Sequence, residues 1–217
     1  MTKIRRALTG CALAFMITAA ASLSAFAQAS VKDRELQPAF DFTLIQMPVE
    51  IVSIKLNGKA ITPGVKFQAS DDWMRGATFT LKNISDKPIS YVGIGLRFPH
   101  AADSRDFTTY LLNYGQEGSP RRSAYSQIAT VRPIHPGETR EIVLSEDKYP
   151  FFQNMLSSTG VAPDVEIAHY FIERIFFDGE PDVMWQGGKL LRRDAADPNK
   201  FNVIEQYSLP AKTAGQD

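Results

Sequence analysis

Val52-Ser53-Ile54-Lys55-Leu56-Asn57-Gly58 alternates apolar and polar side chains and ends on an Asn-Gly pair. A repeat of two is that of a strand with one face buried, so Val52, Ile54 and Leu56 are expected on one face. Asn-Gly adopts positive φ readily at both central positions of a type I′ turn, which predicts a hairpin. Downstream, Pro63-Gly64 marks a second turn before Val65 and Phe67. Phe79 and Leu81 then alternate with Thr78, Thr80 and Lys82. After a break at residues 83–88, Val92, Ile94, Leu96 and Phe98 share one face. Gly93 and Gly95 take the other, which implies a bulge or a close neighbour over that strand.

The second half continues in the same idiom. His100–Ser123 is a long connection carrying the short strand-like run Phe107–Leu112, and a connection of that length within 99–123 is ordinarily functional or disordered. Pro136-Gly137 turns into the alternating Thr139–Leu144. One helix is predicted over about 146–158, with Ser145 as N-cap, Tyr149, Phe152 and Leu156 on one stripe, and Gly160 as stop. Val165–Phe177 is an apolar strand closed by Asp178-Gly179, and Trp185–Leu191 and Phe201–Tyr207 are the last candidates. Short strands separated by turns, without a βαβ rhythm, predict a mainly β fold: an antiparallel β-sandwich with one short inserted helix.

The first 27 residues have a separate logic. Lys3, Arg5 and Arg6 precede an uncharged run from Ala7 to Phe26 that closes on Ala25-Phe26-Ala27. That is the layout of a cleaved secretory signal peptide, which predicts an exported, periplasmic or extracellular protein. Leu8-Thr9-Gly10-Cys11 imitates a lipobox, but the apolar run follows the cysteine instead of preceding it. Cleavage removes three of the 24 basic residues, none of the 24 acidic ones, and the only cysteine. The remainder is near neutral, which gives no electrostatic case for nucleic acid. It has no thiol for a disulfide, a thiolate metal site or a cysteine nucleophile. The expected organisation is an exposed lead-in over 28–44, a single domain over 45–208 and a flexible tail over 209–217. No transmembrane segment is expected after cleavage.

Few residues suggest chemistry. His100, His135 and His169 have no ligand-like neighbours at short spacing, and no Gly-x-Ser-x-Gly elbow or phosphate loop occurs. No cofactor, catalytic residue or metal centre is therefore assigned. Asp178, Glu180 and Asp182, with Asp194 and Asp197, form two acidic runs of the kind that calcium loops use. Val183 and Lys189 occupy positions where an EF-hand needs Gly and Glu, and turn-forming Asp needs no metal. Trp73 and Trp185 are either stacking platforms for a glycan or peptide or plugs of the core. The segment Trp185–Asn199 places Trp185, Gly187-Gly188, Arg192, Arg193 and the acids Asp194 and Asp197 within 15 residues, a mixture suited to a loop-borne recognition site or to an ion-paired loop.

Asn83-Ile-Ser-Asp-Lys-Pro-Ile89, Phe177-Asp-Gly179, Trp185-x-Gly187-Gly188 and Arg193-Asp194…Asp197-Pro198 resemble motifs of exported bacterial β-sandwich proteins of unknown function. That resemblance implies an immunoglobulin-like or related sandwich in a bacterial envelope, and it carries no catalytic residues. Two readings of function stand: a non-catalytic module that binds, or supports, a protein or glycan partner, and a hydrolase using carboxylates such as Asp178 or Glu180 as acid and base.

Overall fold

In the computed structural model the described residues are 31–100, 106–115, 131–161 and 165–209. The segment expected to be a signal peptide, Cys11, most of the expected tail and much of the 99–123 connection lie outside them. The elements are β1 (Lys32–Pro38), a 3-10 turn (Phe42–Leu44), β2 (Val49–Leu56), β3 (Lys59–Ile61), β4 (Phe67–Ala69), β5 (Thr78–Asn83), β6 (Ile89–Pro99), β7 (Phe107–Gly115), β8 (Thr139–Val143), α1 (Tyr149–Ser158), β9 (Ile167–Phe177), β10 (Val183–Gln186), β11 (Lys189–Arg193) and β12 (Phe201–Gln206). Among the described residues strands dominate, with a single helix. Two sheets contribute to one core, the arrangement of a β-sandwich.

The smaller sheet runs β3-β2-β5-β8, all antiparallel. Its β2–β3 hairpin turns on Asn57 and Gly58 with φ of 48° and 75°, as the dipeptide predicts. The expected face of β2 is broken at Val52. The register with β5 slips between Ile51 and Ser53, so Val52 is an extra residue and turns outward. A bulge shifts the alternation by one, which is why Ile54 and Leu56 are buried and Val52 is not.

The larger sheet has eight strands built around β9. On one side β6 pairs with β9 along its length, and β7 pairs with β6 over nine consecutive residues. On the other side two strands share the edge of β9. β1 pairs with Ile167–Tyr170, and β10 pairs with Ile175 and Phe176. The β1–β9 ladder is parallel, so this sheet is mixed and not wholly antiparallel. The segment expected to be an exposed lead-in is instead part of the sheet, with Leu36 and Arg34 fully buried. Arg34 is tolerated there because its guanidinium donates to the Asp71 carboxylate at 2.6 Å and to the Val165 carbonyl at 2.7 Å.

Val92, Ile94, Leu96 and Phe98 of β6 are completely buried, facing Phe79 and Leu81 of β5 in the common core. Helix α1 adds Tyr149, Phe152 and Leu156 to that core, the expected stripe. Its start is later than expected: the Ser145 carbonyl accepts from Lys148 and Tyr149, and no side chain caps the first turn. The predicted single strand at 185–191 is a hairpin. Gly187 and Gly188 both take positive φ, turning β10 back into β11.

Candidate functional site

Both tryptophans belong to the interior. Trp73 and Trp185 are 1% and 2% exposed, so neither offers a ring face for stacking. Their indole N–H groups fasten backbone instead: Trp73 donates to the Val165 carbonyl at 2.8 Å and Trp185 to the Gln46 carbonyl at 3.0 Å. Arg193 lies over the Phe201 ring at 4.6 Å, donates to the Pro198 carbonyl at 2.6 Å and sits 3.3 Å from the Asp182 carboxylate. Arg192 is exposed on the same strand.

The acidic runs are similarly committed. Asp194 accepts from the Asn202 amide and from the backbone N–H groups of Ala196 and Asp197. Those bonds, the Asn202 one first, hold its carboxyl below the usual range. Asp197 closes the turn by accepting from the Asn199 N–H. Glu180 pairs with Lys87 at 2.8 Å, while exposed Asp178 accompanies the turn after β9. The cation placed between the two runs is Arg193, and among the described residues no group of three potential ligands can hold a metal ion. The segment 185–199 is thus a self-bonded hairpin and turn.

The concave surface lies elsewhere, around Phe40–Met47. This segment leaves β1, passes over the sheet and enters β2 as a strap. Asp41 caps its 3-10 turn by accepting from the Thr43 N–H at 2.9 Å and hydroxyl at 2.6 Å. Trp185 pins its far end through the Gln46 carbonyl, and the Gln46 side chain accepts from the Leu209 N–H at 2.7 Å.

Between the end of β1 and the end of β10, residues Phe171–Arg174 of β9 have no strand beside them on the edge away from β6 among the described residues. The strap crosses this notch and leaves a cavity of about 150 Å³ lined by Phe40, Phe42, Met47, Phe171, Glu173 and Trp185. On the strap's other side an open groove of about 560 Å³ runs between Phe42, Ile45 and Met47 and the residues Val49, Ile51 and Tyr170. Phe42, Ile45 and Met47 are common to both. The walls are mainly aliphatic and aromatic, with Glu50, Glu173 and Gln46 among them, so what the site can do above all is remove apolar groups from water.

No protein-family model, curated protein or solved structure matches this chain. Its function therefore has to be read from the geometry itself.

Next to the notch, on the outer face of β6 and β9, is Arg97. Its guanidinium carbon lies 4.3 Å from the centroid of Phe171, 4.5 Å from that of Phe107 and 5.8 Å from that of Phe40. Directly across the ladder stands His169. Burial, and secondarily Arg97, push the His169 imidazole below its ordinary value, against an opposing pull from Glu35. Gly95 is what admits Phe171 to this position, and Gly93 makes similar room for Tyr91 and Glu173. The sequence signal for a close neighbour over that strand is accounted for by these two contacts and by a register shift between Gly93 and Ile94.

Sequence reasoning missed the strap, because its residues were grouped with a polar lead-in. The available signal was Phe40-x-Phe42-x-Leu44-Ile45-x-Met47, five large apolar residues within eight positions.

Proposed function

We propose that this chain is an exported, non-catalytic β-sandwich that binds a protein partner, and that the partner lays apolar side chains into the groove beside the Phe40–Met47 strap. The observation that carries this reading is the groove itself, about 560 Å³ and walled by Phe42, Ile45, Met47, Val49 and Ile51. Monomeric proteins rarely leave such apolar concavity uncovered without a use for it. A protein partner fits better than a glycan, because sugar recognition relies on open aromatic faces and both tryptophans are buried. A binding role also fits the carboxylates, since Glu180, Asp182 and Asp194 are each engaged by a cation, an amide or backbone.

Each leucine-sized side chain buried in the groove contributes roughly 1.5–3 kcal/mol. Two or three such contacts sum to roughly 3–9 kcal/mol, and after about 4 kcal/mol or more of lost translational freedom the groove alone gives affinity no tighter than about 0.1 mM. Panning random peptides against the chain is expected to enrich sequences rich in Leu, Ile, Phe and Met. Ile51→Glu and Met47→Glu should abolish their capture while circular dichroism stays native. Peptides with no apolar bias, or capture indifferent to both substitutions, would refute the groove as the binding site. For the exported setting, N-terminal sequencing of protein from a periplasmic fraction should begin at Gln28; an intact Met1 would refute it.

A further inference from the structure

Arg97 is a half-buried guanidinium with no counter-charge among the described residues. Half-buried charges in proteins are ordinarily paired or hydrogen-bonded, since an uncompensated one loses hydration without return. Among the described residues Arg97 makes no ion pair, and its Nε is buried without an acceptor. Three phenylalanine rings surround it, two of them within 4.5 Å of the guanidinium carbon. The rings crowd the guanidinium carbon, and among the described residues no acceptor meets its Nη edge. That edge is a fork whose spacing matches the two oxygens of a carboxylate.

The surroundings define what else the ligand contains. Phe40 and Phe171, which flank Arg97, are also walls of the 150 Å³ notch. An anion at Arg97 therefore has an apolar cavity beginning one ring away. His169, opposite Arg97 in the ladder, supplies a further nitrogen on the same face. The acid nearest the notch, Glu173, is already neutralised by Arg174, so it opposes an incoming carboxylate weakly. The notch also exposes an edge of β9. The Tyr170 carbonyl accepts from Ala39 on this side, and by strand alternation the backbone of Ile172 points the same way, into the gap.

We propose that Arg97 anchors a carboxylate at the end of an apolar chain, with that chain lying in the notch under Phe40 and against Phe171. The chemistry is shared by two sources: the free C-terminus of a polypeptide ending in apolar residues, and a free aliphatic acid. This inference rests on the partner-binding reading and sharpens it, because it says that the partner enters by its chain end. Bidentate pairing supplies specificity for the charged group, and the cavity supplies most of the affinity.

Isothermal titration of the chain with three probes tests this: a hexapeptide ending in Leu-Phe with a free carboxylate, the same peptide as its C-terminal amide, and decanoate. The free acid should bind about tenfold or more tighter than the amide, the size expected for losing a charge-assisted bidentate contact. Arg97→Met should bring the acid-to-amide ratio to about one. Arg97→Lys, which keeps the charge and loses the fork, should fall between them. Near-ultraviolet circular dichroism from Trp73 and Trp185 reports whether each variant remains folded, and if Arg97→Met does not, the lysine variant carries the test.

Acid and amide binding equally would overturn the Arg97 site and leave the apolar groove standing. Decanoate binding in an Arg97-dependent way while both peptides fail would uphold the carboxylate site and overturn the protein-partner reading. No binding of any probe overturns the proposal.

Discussion

Gly95 and Phe171 face each other across the β6–β9 ladder so closely that a methyl group on Gly95 would lie 2.2 Å from two carbons of the Phe171 ring. The ring thus occupies the space where a side chain would be, and Arg97 lies on top of it. Gly95→Ala must expel Phe171, at a cost of about 1–3 kcal/mol for overpacking. Phe171→Ala alone should also destabilise, by leaving Arg97 without its nearest ring. Combined, the two substitutions should cost less than their sum, because the alanine methyl then enters vacated space. Urea denaturation of the four proteins measures this; strict additivity would mean that the two residues do not compete for one volume.

Trp185 secures the strap from beneath, so Trp185→Phe should loosen it. The lost hydrogen bond to Gln46 and the smaller ring together cost about 1–3 kcal/mol. Amide hydrogen exchange should accelerate first across residues 41–47, ahead of β5 and β6. Uniform acceleration through the whole sandwich would show that Trp185 supports the core and not the strap in particular.

Asn83 is fully buried at the end of β5. Its amide donates to the Lys87 and Ile134 carbonyls, both at 2.8 Å, and its oxygen accepts from the Ser85 N–H and hydroxyl. Asn83→Ala strands several buried polar groups and should cost at least about 2 kcal/mol. Asn83→Asp keeps the acceptor but sets a carboxylate oxygen against two carbonyls, so at neutral pH it should be no better than alanine. An aspartate variant as stable as wild type would show that the donated bonds contribute little. Burial also makes the Asn83-Ile84-Ser85 sequon unavailable in the folded protein.

The lowered His169 pKa fixes the direction of one pH effect. The folded state resists protonation that the unfolded chain accepts near the ordinary value of 6.5. The unfolded state therefore binds more protons in the window just below 6.5. Stability is complete above that pH and declines as pH falls through the folded-state pKa. Burial is the larger cause, then Arg97, with Glu35 opposing, so removing the imidazole should flatten the decline. Denaturation of wild type and His169→Gln between pH 5 and 8 gives the difference in slope, and identical slopes would assign the pH dependence to other groups.

Most of the sandwich was legible because its strands place large apolar side chains on alternate positions, as β5 and β7 do. Val92, Ile94, Leu96 and Phe98 display the period of two without interruption, and Asn57-Gly58 names its own turn. β1 was illegible because Leu36 is the only large apolar side chain in Lys32–Pro38, and its other interior position is an arginine. That position is acceptable only once Asp71 and Val165 are in place, which no local pattern can announce. The helix stripe could be read, whereas its start could not, since no side chain caps it. Trp73 and Trp185 left two readings open because the choice depends on whether a carbonyl from a distant segment meets the indole. The notch was hidden for the same reason: it exists because β1 stops and β10 starts at particular points along β9.

The parallel placement of β1 against β9 has a consequence for the order in which the molecule assembles. Arg34 and the Val165 carbonyl that it holds are 131 residues apart in the chain. The first strand therefore has no permanent neighbour on that side until β9 has emerged and settled against β6. Closing so long a loop is entropically slow, and folds dominated by distant pairings reach the native state late. The strap, and with it the notch, can form only after that closure. Any binding there reports a chain that has been completed as far as β10, so occupancy would be confined to finished molecules.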